Sequence, residues 1–143
     1  MTEIDRSALV LFPADAMFAL VADIESYPQF MDGCVGARVL TRSDAEVTAV
    51  LELSKGGIRQ QFTTRNRLQR PRQITMELVE GPFESFNGEW RFDPLTDNAC
   101  KVSLHLTFSF SNSVVAGAAS RLFHSVANTQ VDALCKRARL IYG

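Results

Sequence analysis

Histidine and cysteine are scarce in this chain, and each scarcity excludes a kind of chemistry. Two histidines and three cysteines are spread over 143 residues. Cys34, Cys100 and Cys135 are widely spaced and odd in number, which suits neither a disulfide framework nor a CxxC metal site. They are expected to be reduced, structural thiols. No apolar run approaches the ~20 residues of a membrane-spanning helix. HExxH and a glycine-rich phosphate loop are missing as well; Gly56-Gly57 alone marks a turn. The net charge of −1 lacks the basic excess of a protein that holds nucleic acid by charge. The opening MTEIDRSALV has acids near its start and neither the basic region nor the apolar core of a signal peptide, so a cytoplasmic location is expected.

What is present is an ordinary globular composition, 46% hydrophobic and 22% charged. The length favours one domain over residues 1–143. Size scaling gives a folded surface of roughly 7,000 Å² and burial of about 68% of the unfolded surface, enough for a core without disulfides.

The stretch Ser113 to Tyr142 reads as one long amphipathic helix. At 100° per residue from Val115, Ala119, Leu122, Val126, Ala133, Leu140 and Ile141 share one side, widened by Phe123, Leu134 and Ala138. Arg121, His124, Ser125, Asn128, Asp132 and Arg139 fall opposite. Asn112 and Ser113 suit the N-terminal cap, and Lys136, Arg137 and Arg139 suit the negative end of the helix dipole. Thr129 and Gln130 interrupt the apolar stripe, and its early part is small: Ala116, Gly117, Ala118 and Ala119. A core helix has both features, and so does the wall of a cavity.

Ahead of that helix the period is mostly two. Glu3 to Phe12 reads as a first strand. Pro13 then opens a short helix with Met17, Phe18, Val21 and Ala22 on its apolar face. Pro28 breaks Ile24 to Met31 into a short helix or turn pair. From there Val35, Ala37 and Val39 alternate, then Val47, Ala49, Leu51 and Leu53, then Ile58, Phe62, Thr64, Asn66 and Leu68. Ile74, Met76 and Leu78 follow, then Phe86, Gly88, Trp90 and Phe92. Val102, Leu104, Leu106, Phe108 and Phe110 give the clearest alternation. Short turns between consecutive strands favour an antiparallel sheet. Its apolar face needs a cover, and only the terminal helix is long enough. The predicted class is α+β: a curved antiparallel sheet of about six to seven strands around a C-terminal helix, with two short helices after the first strand.

Facing then sorts the chemistry. His105 and His124 fall on outward positions, as do Glu52 and Glu89, and Cys100 has no evident base. Inside, Phe62, Met76, Phe86, Trp90, Phe92, Leu106, Phe108 and Phe110 line either a packed core or a lipophilic cavity. At ~24 cal/mol per Å³ a dry void of ~300 Å³ costs ~7 kcal/mol, comparable with the stability of a domain. A large pocket is therefore hydrated, filled or compensated. Thr64, Asn66, Thr129 and Gln130 are polar and inward; they hold a ligand's polar head, or satisfy each other and buried water. Outward Arg59, Arg65 and Arg67, with Arg70 and Arg72 beyond, form a local basic patch. It is either a solvated sheet face or a surface for anionic head groups or RNA phosphates.

Three blocks carry a family resemblance: VADIESYPQFMDGCVGARVL (Val21 to Leu40), KGGIRQQFTTRNRL (Lys55 to Leu68) and GPFESFNGEWRFDPL (Gly81 to Leu95). Together they resemble the bacterial RatA branch of the coenzyme Q-binding, START-like family, within the polyketide cyclase/dehydrase superfamily. The resemblance implies a helix-grip fold enclosing a lipophilic cavity. It implies non-catalytic binding of a hydrophobic ligand, ubiquinone or a similar isoprenoid lipid, in support of respiration, without a cofactor or metal. As an alternative it implies a toxin that binds the large ribosomal subunit and blocks subunit association, with a small antitoxin protein as partner; a cyclase-like enzyme stands third. Carried onto this chain, the ligand lining comprises Phe62, Thr64, Asn66, Met76, Phe83, Phe86, Trp90, Phe92, Leu106, Phe108 and Phe110, with Leu122, Phe123, Val126 and Gln130 of the helix. Tyr27, Pro28, Phe30, Gly57 and Gly81 are candidate gates. Arg59, Arg65 and Arg67 are the candidate surface for ribosome or lipid head groups, the latter in transient contact with the inner membrane.

Overall fold

A computed structural model describes residues 2–110 and 113–143, without the side chains of 113–116. Strand β1 (Thr2–Val10) leads to helix α1 (Ala14–Ala22) and a 3-10 helix, Ile24–Gln29. Six strands follow: β2 (Cys34–Arg42), β3 (Glu46–Lys55), β4 (Ile58–Gln69), β5 (Gln73–Glu80), β6 (Phe83–Thr96) and β7 (Ala99–Phe110). Helices α2 (Ser113–Asn128) and α3 (Gln130–Tyr142) end the chain. The seven strands form one sheet in the order β1-β7-β6-β5-β4-β3-β2, antiparallel throughout. This is the α+β arrangement that the alternation predicts, a curved sheet around C-terminal helices.

The period of two decides which side chains are covered. On β7, Val102, Leu104, Leu106 and Phe108 are buried; on β6, Phe86, Trp90 and Phe92 are. Their alternates Glu89, Arg91 and His105 stand on the outer face with part-exposed side chains. Helix α2 lays Ala119, Leu122, Phe123, Val126 and Ala127 on the sheet, and α3 adds Val131, Leu134, Cys135 and Ala138. Both sets recur at three and four residues, the spacing of one helical face. Helix α1 closes one end of the sheet, where the Phe18 and Phe92 rings meet edge to face at 5.5 Å.

Three expectations are corrected. The terminal helix is broken at Thr129, whose φ of −105° and ψ of 1° leave the helical region. Its N–H bonds Val126 O at 3.3 Å, and its Oγ1 donates to the same carbonyl at 3.1 Å, so the side chain competes with the helix ladder. Because of the break, the stripe does not run to the end: Leu140 and Ile141 are exposed. Strand β1 stops at Val10, and Leu11 beyond it is exposed. Val35 faces solvent because a bulge between Cys34 and Gly36 shifts the β2 register by one residue, which reverses its side. The proposed cap at Asn112 lies outside the described residues, as do the side chains of Ser113, Val115 and Ala116.

Candidate functional site

Between the concave sheet and the junction of α2 with α3 lies a cavity of about 40 Å³. Each neighbouring element contributes to its wall. Ile24 and Tyr27 come from the 3-10 helix, Leu51 from β3, and Phe62, Thr64 and Asn66 from β4. Met76 (β5), Phe86 and Trp90 (β6), Leu106 (β7), Phe123 (α2) and Gln130 (α3) complete it. Gly88 stands between two of these: a Cβ there would lie 2.5 Å from Met76 Cε and 2.6 Å from Leu106 Cδ2. The missing side chain is what lets those two reach inward. Empty, such a cavity costs about 1 kcal/mol. It has room for about three waters, at roughly 10–15 Å³ each.

The polar side of the cavity is β4. Thr64 is 3% exposed and Asn66 6%, yet Asn66 Oδ1 has no hydrogen-bond partner. A buried amide oxygen left alone is costly, so this atom is a demand on whatever fills the space. Among the described residues, Tyr27 is the one ionisable group in the wall. Its hydroxyl donates to Val21 O, and burial raises its pKa well above the ordinary phenol range. Among the described residues no carboxylate, imidazole, thiol, ammonium or guanidinium lines the cavity. The arrangement suits holding a neutral, largely apolar molecule with a small polar group.

The structure divides the sequence-derived lining. Phe62, Thr64, Asn66, Met76, Phe86, Trp90, Leu106, Phe123 and Gln130 share the cavity wall. Phe83, Phe108 and Phe110 instead form an aromatic cluster with Phe123, at ring separations of 5.1, 4.6 and 6.5 Å. Phe92 is fully buried between Phe18 and Trp90. Leu122 and Val126 belong to the core rather than the cavity wall. Inward facing is a property of one strand, whereas reaching the cavity depends on sheet curvature, which periodicity does not carry. Ile24 and Leu51 are lining residues that the candidate set missed. Leu51 was on an inward alternation, and Ile24 stands three residues before Tyr27, one turn of a 3-10 helix.

The candidate gates scatter. Tyr27 is in the cavity wall. Pro28 is inside the 3-10 helix. Phe30 lines an outer groove with Gln29, Thr129 and Arg137, and the Arg137 guanidinium sits 5.3 Å above its ring. Gly57 is in the β3–β4 turn with φ +81°, and Gly81 packs against Phe62. Thr129 spends its hydroxyl on the helix break and, unlike Gln130, does not reach the cavity.

On the outer face Arg59, Arg65 and Arg67 are not a bare basic patch. Arg59 Nε meets Glu52 at 2.6 Å, Arg65 meets Glu46 at 3.5 Å, and Arg67 lies 3.0 Å from Glu77 and 3.9 Å from Glu46. The carboxylates come from β3 and β5, the strands flanking β4. Glu89 pairs with Arg91 there, and His105 lies 3.9 Å from Glu3. Cys34, Cys100 and Cys135 are free and buried, and burial raises all three thiol pKa values. Among the described residues no group of three or more His, Cys, Asp or Glu side chains is placed to hold a metal ion, and no helix is long and apolar enough to cross a membrane.

Residues 10–135 match the family described as polyketide cyclase / dehydrase and lipid transport. The chain is 44% identical over 142 residues to a Pseudomonas aeruginosa protein named ribosome association toxin RatA, covering 99% of each chain. It is 25% identical over 145 residues to the Xenopus laevis mitochondrial coenzyme Q-binding protein COQ10 homolog B, covering 99% of this chain and 59% of that one. In fold it superposes on the Zhui aromatase/cyclase of Streptomyces sp. R1128 with a TM-score of 0.85, covering 96% and 93% of the two chains at 17% identity.

Proposed function

Because the chain belongs to the polyketide cyclase/dehydrase and lipid transport family, we propose that it binds a hydrophobic ligand in its helix-grip cavity without catalysing a reaction on it, and that the ligand is a ubiquinone-type isoprenoid lipid. The observation behind this reading is the cavity itself: an apolar wall, one buried polar side at Thr64 and Asn66, and no charged group. The likeness to a coenzyme Q-binding protein supports the choice of lipid. The volume of about 40 Å³ is well below the ~300 Å³ of a drug-sized site, so uptake opens the cavity. Met76 and Gln130, unbranched and only partly buried, are the lining residues that give way. Binding to the folded state alone adds about 2.7 kcal/mol of stability when free ligand is 100 times Kd. Protein purified under mild conditions is expected to release a quinone on solvent extraction, and added quinone to raise its melting temperature. Native mass spectra without lipid, together with an unchanged melting curve, reject the reading.

A second reading has its own support. Relatives about 44% identical over the full length are named for ribosome association. That activity needs a surface rather than a cavity, so both can reside in one molecule. The Arg59, Arg65 and Arg67 face is its candidate, with the Glu46, Glu52 and Glu77 pairs opening to admit phosphate. In sucrose gradients at low magnesium the protein is expected to travel with large subunits and to lower the yield of joined ribosomes. An Arg65→Gln/Arg67→Gln variant that still comigrates rules out this face.

A further inference from the structure

The cavity chooses among neutral ligands by their hydrogen-bonding sense. We infer that Asn66 makes it selective for a head group that donates a hydrogen bond, so that a hydroquinone binds more tightly than the quinone with the same tail; this rests on the lipid-binding reading above.

Two features of the wall carry the inference. The first is neutrality. Carboxylate, phosphate and ammonium head groups meet no counter-charge there, and an unpaired buried charge is expensive. The second is the unpartnered amide. Asn66 is 94% buried, lines the cavity and accepts no hydrogen bond at Oδ1. A primary amide asks for an acceptor and a donor together. Quinone carbonyls and methoxy groups only accept; they satisfy the amide N–H and leave the oxygen alone. A hydroquinone hydroxyl does both. Thr64, two residues along β4 on the same face, adds a hydroxyl that adapts to either partner. Gln130 approaches from the helix break opposite. Leaving a buried acceptor unpaired costs roughly five- to a hundredfold in affinity. A tenfold preference for the reduced form is therefore expected.

The test is calorimetric titration under argon with three probes: decylubiquinol, decylubiquinone and decanoate. Wild-type protein is expected to bind the quinol about ten times more tightly than the quinone, and decanoate too weakly to measure. Asn66→Leu, close in shape and without the amide, is expected to fold with at least wild-type stability and to bind both redox forms alike. Equal affinity of wild type for quinol and quinone overturns the inference while leaving the lipid-binding reading intact. So does a preference that survives in Asn66→Leu, which places the selectivity elsewhere. Tight decanoate binding overturns the neutrality argument. Failure of all three probes to bind rejects the lipid-binding reading itself, and this inference with it.

Discussion

Two glycines show how a single missing side chain is used differently in this molecule. Gly33, before β2, has φ +89°, and a Cβ built on it would stand 2.6 Å from Val126 Cγ2 of α2. Gly57, in the β3–β4 turn, has φ +81° and nothing within 4 Å. Alanine at Gly57 therefore meets only the left-handed backbone cost, about 1–2 kcal/mol. Alanine at Gly33 meets that cost and a collision with the buried Val126 of α2, about 2–5 kcal/mol in total. Urea unfolding midpoints of Gly33→Ala and Gly57→Ala are expected to fall in that order, and equal midpoints would show that the helix yields freely. The position matters because Val126 lies three residues before the break that brings Gln130 to the cavity. Nothing in the sequence separates these two glycines. Gly33 follows Asp32 and Gly57 follows Gly56, both just before a strand, and neither context shows the approach of α2.

Secondary-structure elements were legible where one rule acted alone. The alternation on β6 and β7 fixed both strands and the burial of Trp90 and Leu106. It failed where a second rule competed. Thr129 belongs to an apolar stripe by position, but its hydroxyl offers the backbone another partner, and the helix parts there. Val35 belongs to an alternating set, but one bulge turns it outward. The break has a measurable consequence. Helical amides flanking it bond to carbonyls four residues back, whereas the Thr129 amide reaches only Val126. In hydrogen–deuterium exchange the amides of Asn128 to Val131 are expected to exchange well before those of Leu122 to Ala127 and Leu134 to Ala138. Uniform protection from α2 through α3 would mean that the helices move as one rod. Two polar ties steady the junction from outside: Arg6 holds Asn128, and Arg137 holds Gln29 at 3.0 Å.

At the scale of the whole molecule, alternation puts the polar pair Thr64 and Asn66 inside, where both are buried, and leaves the opposite face open between a solvated sheet face and a binding surface. Arg59, Arg65 and Arg67 look basic when β4 is read alone. The sheet sets Glu46 and Glu52 on one flank and Glu77 on the other, and the sum is near neutral. Exposed pairs of this kind contribute little to stability, roughly 0–1 kcal/mol each. Glutamine, rather than glutamate, is thus the cleaner substitution for probing that face, since reversal would set like charges on adjacent strands.

An antiparallel sheet that does not close leaves two rims, and here they are β1 and β2. The backbone of β2 bonds to β3 on one side, and the strand also packs against the 3-10 helix, where Arg42 meets Glu25 at 3.2 Å. Exposed Val35 and Leu40 already lend that rim some stickiness. Arg38, between them and also exposed, puts a charge on that strand, a feature that disfavours stacking of a second molecule. Arg38→Val joins Val39 and Leu40 into an apolar ribbon, and sedimentation velocity is expected to show dimers and larger species growing with concentration, whereas the parent chain stays monodisperse. On this view the rim trades a small loss of cohesion for protection against fibre-like growth, a form of insurance that neither the cavity nor the ion-paired face provides.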